Sequence, residues 1–186
     1  MAFTFIKYDK NPILSPNLAN AWESEVTTNP GAWYDEATKT VYMLYRGAGP
    51  DPEHKIYLGL ATSTDGYNFT RKRNQPVLGP SADGFDAGCI EDPRIVKFGD
   101  TYYITYACRQ YPPGEYWLPE KKRAYKTPKS ESDYPEALKT NLTTTGLAMT
   151  KDFIHYLRVG RLTDPTVDDR DVILFPEKIK GKYVLL

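Results

Sequence analysis

The apolar positions of this chain fall in short runs, each closed by Gly, Pro, Asn or Asp. Thr40-Val41-Tyr42-Met43-Leu44-Tyr45, Ile56-Tyr57-Leu58-Gly59-Leu60-Ala61 and Thr101-Tyr102-Tyr103-Ile104-Thr105-Tyr106 are typical, rich in β-branched and aromatic residues. That length and composition predict strands, and a helical period of 3.6 is sustained nowhere. The stretch from Pro112 to Thr140 breaks the pattern, being dense in Pro, Lys, Glu and Tyr. It predicts a long surface insertion with one helical turn near Tyr134 to Leu138. Its Tyr111, Tyr116 and Trp117 suit the mouth of a binding channel or a subunit interface.

The strands also repeat. Asn29-Pro30-Gly31-Ala32-Trp33-Tyr34 leads through Thr38-Lys39-Thr40 into the Val41 strand. Glu91-Asp92-Pro93-Arg94-Ile95-Val96 leads through Phe98-Gly99-Asp100 into the Tyr102 strand. Phe175-Pro176-Glu177-Lys178-Ile179 leads through Lys180-Gly181 into Lys182-Tyr183-Val184-Leu185-Leu186, and is read as a third copy. Gly59-Leu60-Ala61 and Gly146-Leu147-Ala148 follow the first two, each with an Asp further on, Asp65 and Asp152, whose recurrence marks a structural turn. Repeating four-strand units predict an all-β propeller, with roughly two and a half blades in residues 1–186 as one catalytic domain. Closure takes roughly four to eight blades, so further blades are expected to complete the central site.

Composition narrows the partners. Lys+Arg and Asp+Glu are equal at 24 each, so no basic surplus calls for nucleic acid. A small-molecule or sugar partner fits a neutral chain with 15 Tyr and 3 Trp. No apolar stretch approaches the ~20 residues that span a bilayer. The N-terminus becomes charged too early for a signal peptide, so a cytoplasmic protein without membrane contact is expected. Cys89 and Cys108 make no disulfide framework and are expected as buried thiols. His54 and His155, the only histidines, lack metal-ligand spacing, so neither a metal nor a cofactor is expected. There is no phosphate-cradling Gly-rich loop and no Gly-x-Ser-x-Gly elbow. Asn68-Phe69-Thr70 and Asn141-Leu142-Thr143 fit the glycosylation pattern.

The chemistry-bearing run is Gly88-Cys89-Ile90-Glu91-Asp92-Pro93-Arg94-Ile95. Glycosidic cleavage needs a carboxylic acid at the leaving oxygen and a nucleophile on the opposite sugar face. A carboxylate pair such as Glu91 and Asp92 can keep one member protonated by like-charge repulsion. Strand alternation predicts that the two face opposite ways, so that one alone is the acid.

This run resembles the signature of glycoside hydrolase family 130. Phe175-Pro176-Glu177-Lys178-Ile179 with Gly181-Lys182-Tyr183-Val184-Leu185-Leu186 is similar to a second motif of that family. Asn11-Pro12-Ile13-Leu14, Asn29-Pro30 and Tyr45-Arg46-Gly47 precede them in the expected order. The resemblance implies a five-bladed propeller of inverting β-mannoside phosphorylases, with some β-mannosidases. It implies Asp92 as proton donor, acting through the mannosyl 3-hydroxyl, and Asn29 and Arg46 as sugar contacts of the glycone subsite. Glu91 and Arg94 are grouped with the substrate contacts, and Arg109 is expected near the aglycone or an anion. Lys178 matches a basic, phosphate-binding position, with inorganic phosphate as co-substrate and an oligosaccharide as substrate. A homo-oligomer is left open. Hydrolysis by water and a non-catalytic carbohydrate-binding propeller are the alternatives to phosphorolysis. Furanosidase-type propellers share Asp-Pro motifs but usually carry an acid in the first blade, where this chain has Asn29.

Overall fold

A computed structural model describes residue 4 and residues 6–114 and 141–186. Most of the insertion, 115–140, with its expected helical turn, Tyr116 and Trp117, lies outside the described residues. The rest is all-β apart from a single 3₁₀ turn at Ala21–Glu23. β1 (Val26–Asp35), β2 (Thr40–Ala48), β3 (Tyr57–Ser63) and β4 (Thr70–Arg71) form one antiparallel sheet in sequential order. β5 (Cys89–Phe98), β6 (Thr101–Arg109), β7 (Thr144–Thr150) and β8 (Leu157–Arg161) form a second sheet with the same order. These are the two complete repeats read from the sequence.

A third unit follows as a hairpin. Ile179 and Lys182 exchange 3.0 Å hydrogen bonds across Lys180 and Gly181, both at positive φ. Two central residues at positive φ make the twist of such a turn match that of its strands. Further back, Ile173 and Leu186 also bond to each other. The pairing corrects the alignment of the third copy. Gly31 pairs with Leu44, Arg94 with Thr105 and Ile173 with Leu186, each partner four residues past the start of its strand or hairpin arm. Residues two before these are Asn29, Asp92 and Asp171, with φ of 43°, 53° and 65°. Asp171, and not a residue near Pro176, is therefore the third copy of Asp92.

The sheets pack face to face through Leu44 and Leu60 of the first and Ile95, Ile104 and Phe153 of the second. Within each blade, a buried acid ahead of the innermost strand ties that strand's loop to the outermost strand. Glu23 accepts from the Tyr45 hydroxyl at 2.9 Å and from Arg71 Nε at 2.9 Å. Asp86 likewise accepts from the Tyr106 hydroxyl at 2.9 Å and from Arg158 Nη1. Tyr45 lies opposite Gly59, and Tyr106 opposite Gly146. A Cβ on either glycine would stand 2.2 Å or 2.6 Å from the tyrosine Cζ, which accounts for the recurring Gly-Leu-Ala. Between blades, buried Asp35 accepts from Lys97 Nζ and the Tyr102 hydroxyl.

Asp65 and Asp152 serve the same turn in each blade, as read from their recurrence. Asp65 Oδ1 accepts the amides of Tyr67 and Asn68, and Asp152 Oδ1 those of Ile154 and His155. Cys89 and Cys108 are buried and free. Burial pushes the Cys108 thiol up to about 12. No helix among the described residues is long and apolar enough to cross a membrane.

Candidate active site

The site is built on a defect in β5. The ladder moves from Glu91↔Ala107 to Arg94↔Thr105, so Asp92 and Pro93 together stand opposite Tyr106. Such a bulge leaves its extra residue unpaired and re-aims side chains. Pro93 lacks an N–H and gives up no ladder bond there. Asp92 adopts the left-handed conformation, which Asp and Asn tolerate better than other side chains. β1 carries the same bulge, with Asn29 and Pro30 opposite Tyr45. The innermost strands approach closely because Gly31 has no Cβ, which would meet the Pro93 carbonyl oxygen at 2.1 Å.

The bulges bring the two signature residues together. Asn29 Nδ2 donates to Asp92 Oδ1 at 2.8 Å, and Thr28 Oγ1 donates to Asn29 Oδ1 at 2.9 Å, which fixes the amide's orientation. The bulge also overturns the expected alternation. Glu91 and Asp92 both reach Arg46, whose Nη1 lies 2.6 Å from Glu91 Oε2 and 3.5 Å from Asp92 Oδ1. Glu91 is the deeper of the two, 9% exposed against 15%. Burial raises its pKa above the usual carboxylate range, Arg46 opposes that, and the charge of Asp92 adds to it. Glu91 is thus held as the partner of Arg46.

Arg46, Glu91, Asp92 and Arg109 line a cleft of about 380 Å³ with Ile56, Pro113 and Arg170. Arg109 Nε stands 3.9 Å from Glu91 Oε1. Arg170 was not singled out from the sequence. Its neighbour Asp171 is the counterpart of Asp92, so Arg170 occupies the place of Glu91 in the third unit. The repeat, aligned on the hairpin turn, would have found it.

Two expected contacts lie elsewhere. Arg94 is absent from the cleft lining; its Nη1 donates to the carbonyls of Asp92 and Pro93 at 3.1 Å, and its Nη2 to Asp171 Oδ1 at 3.1 Å. It braces the bulge and ties it to the third unit, because the bulge turns its side chain toward the backbone. Lys178 sits beside the third hairpin's turn, its Nζ 4.4 Å from the Tyr183 ring centroid. Tyr183 packs on Phe98 and Tyr103, at the turn end of β5 and β6, six residues along β5 from Asp92. A larger hollow of about 620 Å³ lies at the turn ends of the first sheet, lined by Thr40, Thr62, Asn68 and Lys72 among others. Its one acid, Asp152, has Oδ1 committed to its own turn. Among the described residues no group of three or more His, Cys, Asp or Glu is placed to hold a metal ion.

A family profile described as beta-1,4-mannooligosaccharide phosphorylase matches residues 6–136. The chain belongs to glycoside hydrolase family 130. A 1,2-beta-oligomannan phosphorylase of Thermoanaerobacter sp. (strain X514) is 33% identical over 180 residues, 94% of this chain and 50% of that protein. The chain thus spans about half the length of this curated relative. Among solved structures, a β-1,2-mannobiose phosphorylase from Listeria innocua in complex with β-1,2-mannobiose superimposes with a TM-score of 0.63. It is 20% identical, and the match covers 96% of this chain and 56% of that one. A structure described as showing that the GH130 family of mannoside phosphorylases contains hydrolases targeting β-1,2 mannosidic linkages in Candida mannan gives 0.66. It is 22% identical, with 96% and 51% covered. The two sheets are accordingly blades of the family 130 five-bladed β-propeller, and Asp92 lies on an innermost strand.

Proposed function

We propose that this family 130 protein cleaves β-1,2-linked mannosides by phosphorolysis with inversion, giving α-mannose 1-phosphate. The observation that carries the reading is the make-up of the cleft: one carboxylate oriented by a neutral amide, faced by three guanidiniums. Both described contacts of the Asp92 carboxylate, from Asn29 and Arg46, fall on Oδ1. Oδ2 is left to hold the proton that reaches the leaving oxygen, by way of the mannosyl 3-hydroxyl as the family resemblance implies. Phosphate attacks C1 from the opposite face, the C1–O bond breaks, and the shortened mannoside leaves as an alcohol. The proton that phosphate gives up restores Asp92. Glu91 holds Arg46 at 2.6 Å, so Arg109, 3.9 Å from Glu91, and Arg170, 3.3 Å from the exposed Asp168, are the more loosely paired cations and the ones best placed to receive the dianion. Lys178, at the hairpin turn, has no part in this reading. The β-1,2 linkage is taken from the names of the relatives.

Incubation of the intact enzyme with β-1,2-mannobiose, with and without inorganic phosphate, tests this directly. Phosphorus and proton NMR should show α-mannose 1-phosphate with phosphate present and no cleavage without it. Free mannose at equal rates in both would establish hydrolysis, the second reading, which the hydrolases described within the family support.

A further inference from the structure

Asn141 stands outside the cleft yet is bonded to two parts of its wall. Its side chain clamps the main chain of Tyr111 at two points. Oδ1 accepts the Tyr111 N–H at 3.1 Å, and Nδ2 donates to the Tyr111 carbonyl at 2.9 Å. Its own carbonyl accepts Arg109 Nη1 at 2.6 Å. The residue is 2% exposed and sits at φ 51°, where Asn costs less than most side chains. This engagement leaves the amide no room for a glycan, despite the Asn141-Leu142-Thr143 pattern.

The clamp acts on the wall through a short path. Tyr111 leads into Pro113, which lines the cleft, and the Gly114 amide donates to the Glu53 carbonyl at 2.9 Å. On the other side, a Cβ at Gly88 would meet the Tyr111 carbonyl at 2.0 Å, so the turn is packed with no slack. Arg109 Nε is buried with no hydrogen-bond partner among the described residues. Besides its 3.9 Å ion pair with Glu91, the hydrogen bond that sets the position of this guanidinium among the described residues comes from Asn141.

We propose that Asn141 is a positioning residue for the anionic co-substrate: it holds Arg109 at the angle that receives phosphate and keeps Pro113 in the wall beside it. The proposal rests on the phosphorolysis reading for its kinetic form, and its geometric core stands without it. Asn141→Gly keeps the backbone free to adopt positive φ and removes only the clamp. It should raise the KM for phosphate about tenfold, as when one ionic hydrogen bond is lost, because the carbonyl that accepts from Arg109 stays in place but is no longer anchored to Tyr111, with kcat within about threefold of wild type. Arg109→Ala should raise it at least as far. Because Asn141 acts through Arg109, the double variant should show no higher phosphate KM than Arg109→Ala alone. Asn141→Asp keeps the acceptor for the Tyr111 amide and should fall between; it carries the test if the glycine variant fails to fold. Unchanged phosphate KM in both variants, or additive losses in the double variant, would overturn the proposal. Amide exchange at Tyr111, faster in Asn141→Gly, gives a readout independent of turnover. A wild-type enzyme that cleaves no mannoside sinks the phosphorolysis reading alone. Exchange at Tyr111 that does not change sinks the clamp.

Discussion

Asn29 Nδ2 and Asp92 Oδ1 are joined at 2.8 Å, and the two residues are the same position of successive blades. The same left-handed bulge is thus used twice, once with an amide and once with an acid. An amide in the first blade orients the acid of the second without competing for its proton, which a carboxylate there would do.

Asp92→Asn should keep the bulge, since Asn occupies the equivalent site in β1, and should keep mannoside binding. Turnover of β-1,2-mannobiose should fall by ~10²–10⁴, the range for a lost general acid. Calorimetric binding together with steady-state rates checks this, and near-normal rates would remove Asp92 from its role.

Glu91 is expected to set the acid side of the pH profile. Its pKa is raised, chiefly by burial, so it protonates at a higher pH than an ordinary carboxyl as conditions become acidic. Protonation releases Arg46, which lies 3.5 Å from Asp92 Oδ1, to pair with that acid instead. Activity should therefore decline on the acid side beginning above the usual glutamate value of 4.5. In Glu91→Gln the overall rate should be lower and that limb should move to lower pH. A limb that stays in place would show that another group sets it.

Asp35 links the blades through Lys97 and Tyr102, and these two bonds hold its pKa well below the carboxylate range. A depressed folded-state pKa contributes stability that is full above the unfolded value of 3.8 and is lost as pH falls through and below it. Asp35→Asn should cost about 2–3 kcal/mol near neutral pH, since it leaves a partly buried Lys97 without its charge partner. The deficit against wild type should shrink toward pH 3. Urea unfolding across that range measures it, and a deficit independent of pH would assign the effect to packing.

Gly146→Ala would press a methyl to 2.6 Å from the Tyr106 ring. Overpacking of this kind costs about 1–3 kcal/mol, and here the ring is also tied by its hydroxyl to Asp86. Thermal unfolding should show the loss, and combining it with Tyr106→Leu should be less than additive, since both act on one contact. Full additivity would mean that the two residues do not meet.

Much of this was readable in the chain. Short runs of β-branched and aromatic residues such as Tyr102 to Tyr106 of β6 announced strands by their length and composition. The Asp65 and Asp152 turns recur in spacing and in hydrogen bonding alike. What escaped was whatever depends on the bulge. Counting alternate residues sends Glu91 and Asp92 to opposite faces, and only the positive φ at Asp92 turns both toward Arg46. Arg170 and Asp171 lie in Asp168-Asp169-Arg170-Asp171, which reads as a solvated loop, and Pro176 imitated Pro30 and Pro93 while occupying another place. Asn141 could not be found from spacing, since its partner Tyr111 is 30 residues away.

The clasp of acid, tyrosine, arginine and glycine has a bearing on how far the two blades can differ. Blade one uses Glu23 and engages Arg71 through Nε, whereas blade two uses Asp86 and engages Arg158 through the terminal Nη1. An acid one methylene shorter is met by the farther end of the guanidinium. Neither half of that exchange suits the other blade alone, so acid and arginine have to change as a matched set. Two blades can in this way carry different acids and still keep one strand order, each with its arginine fitted to the reach of its own acid.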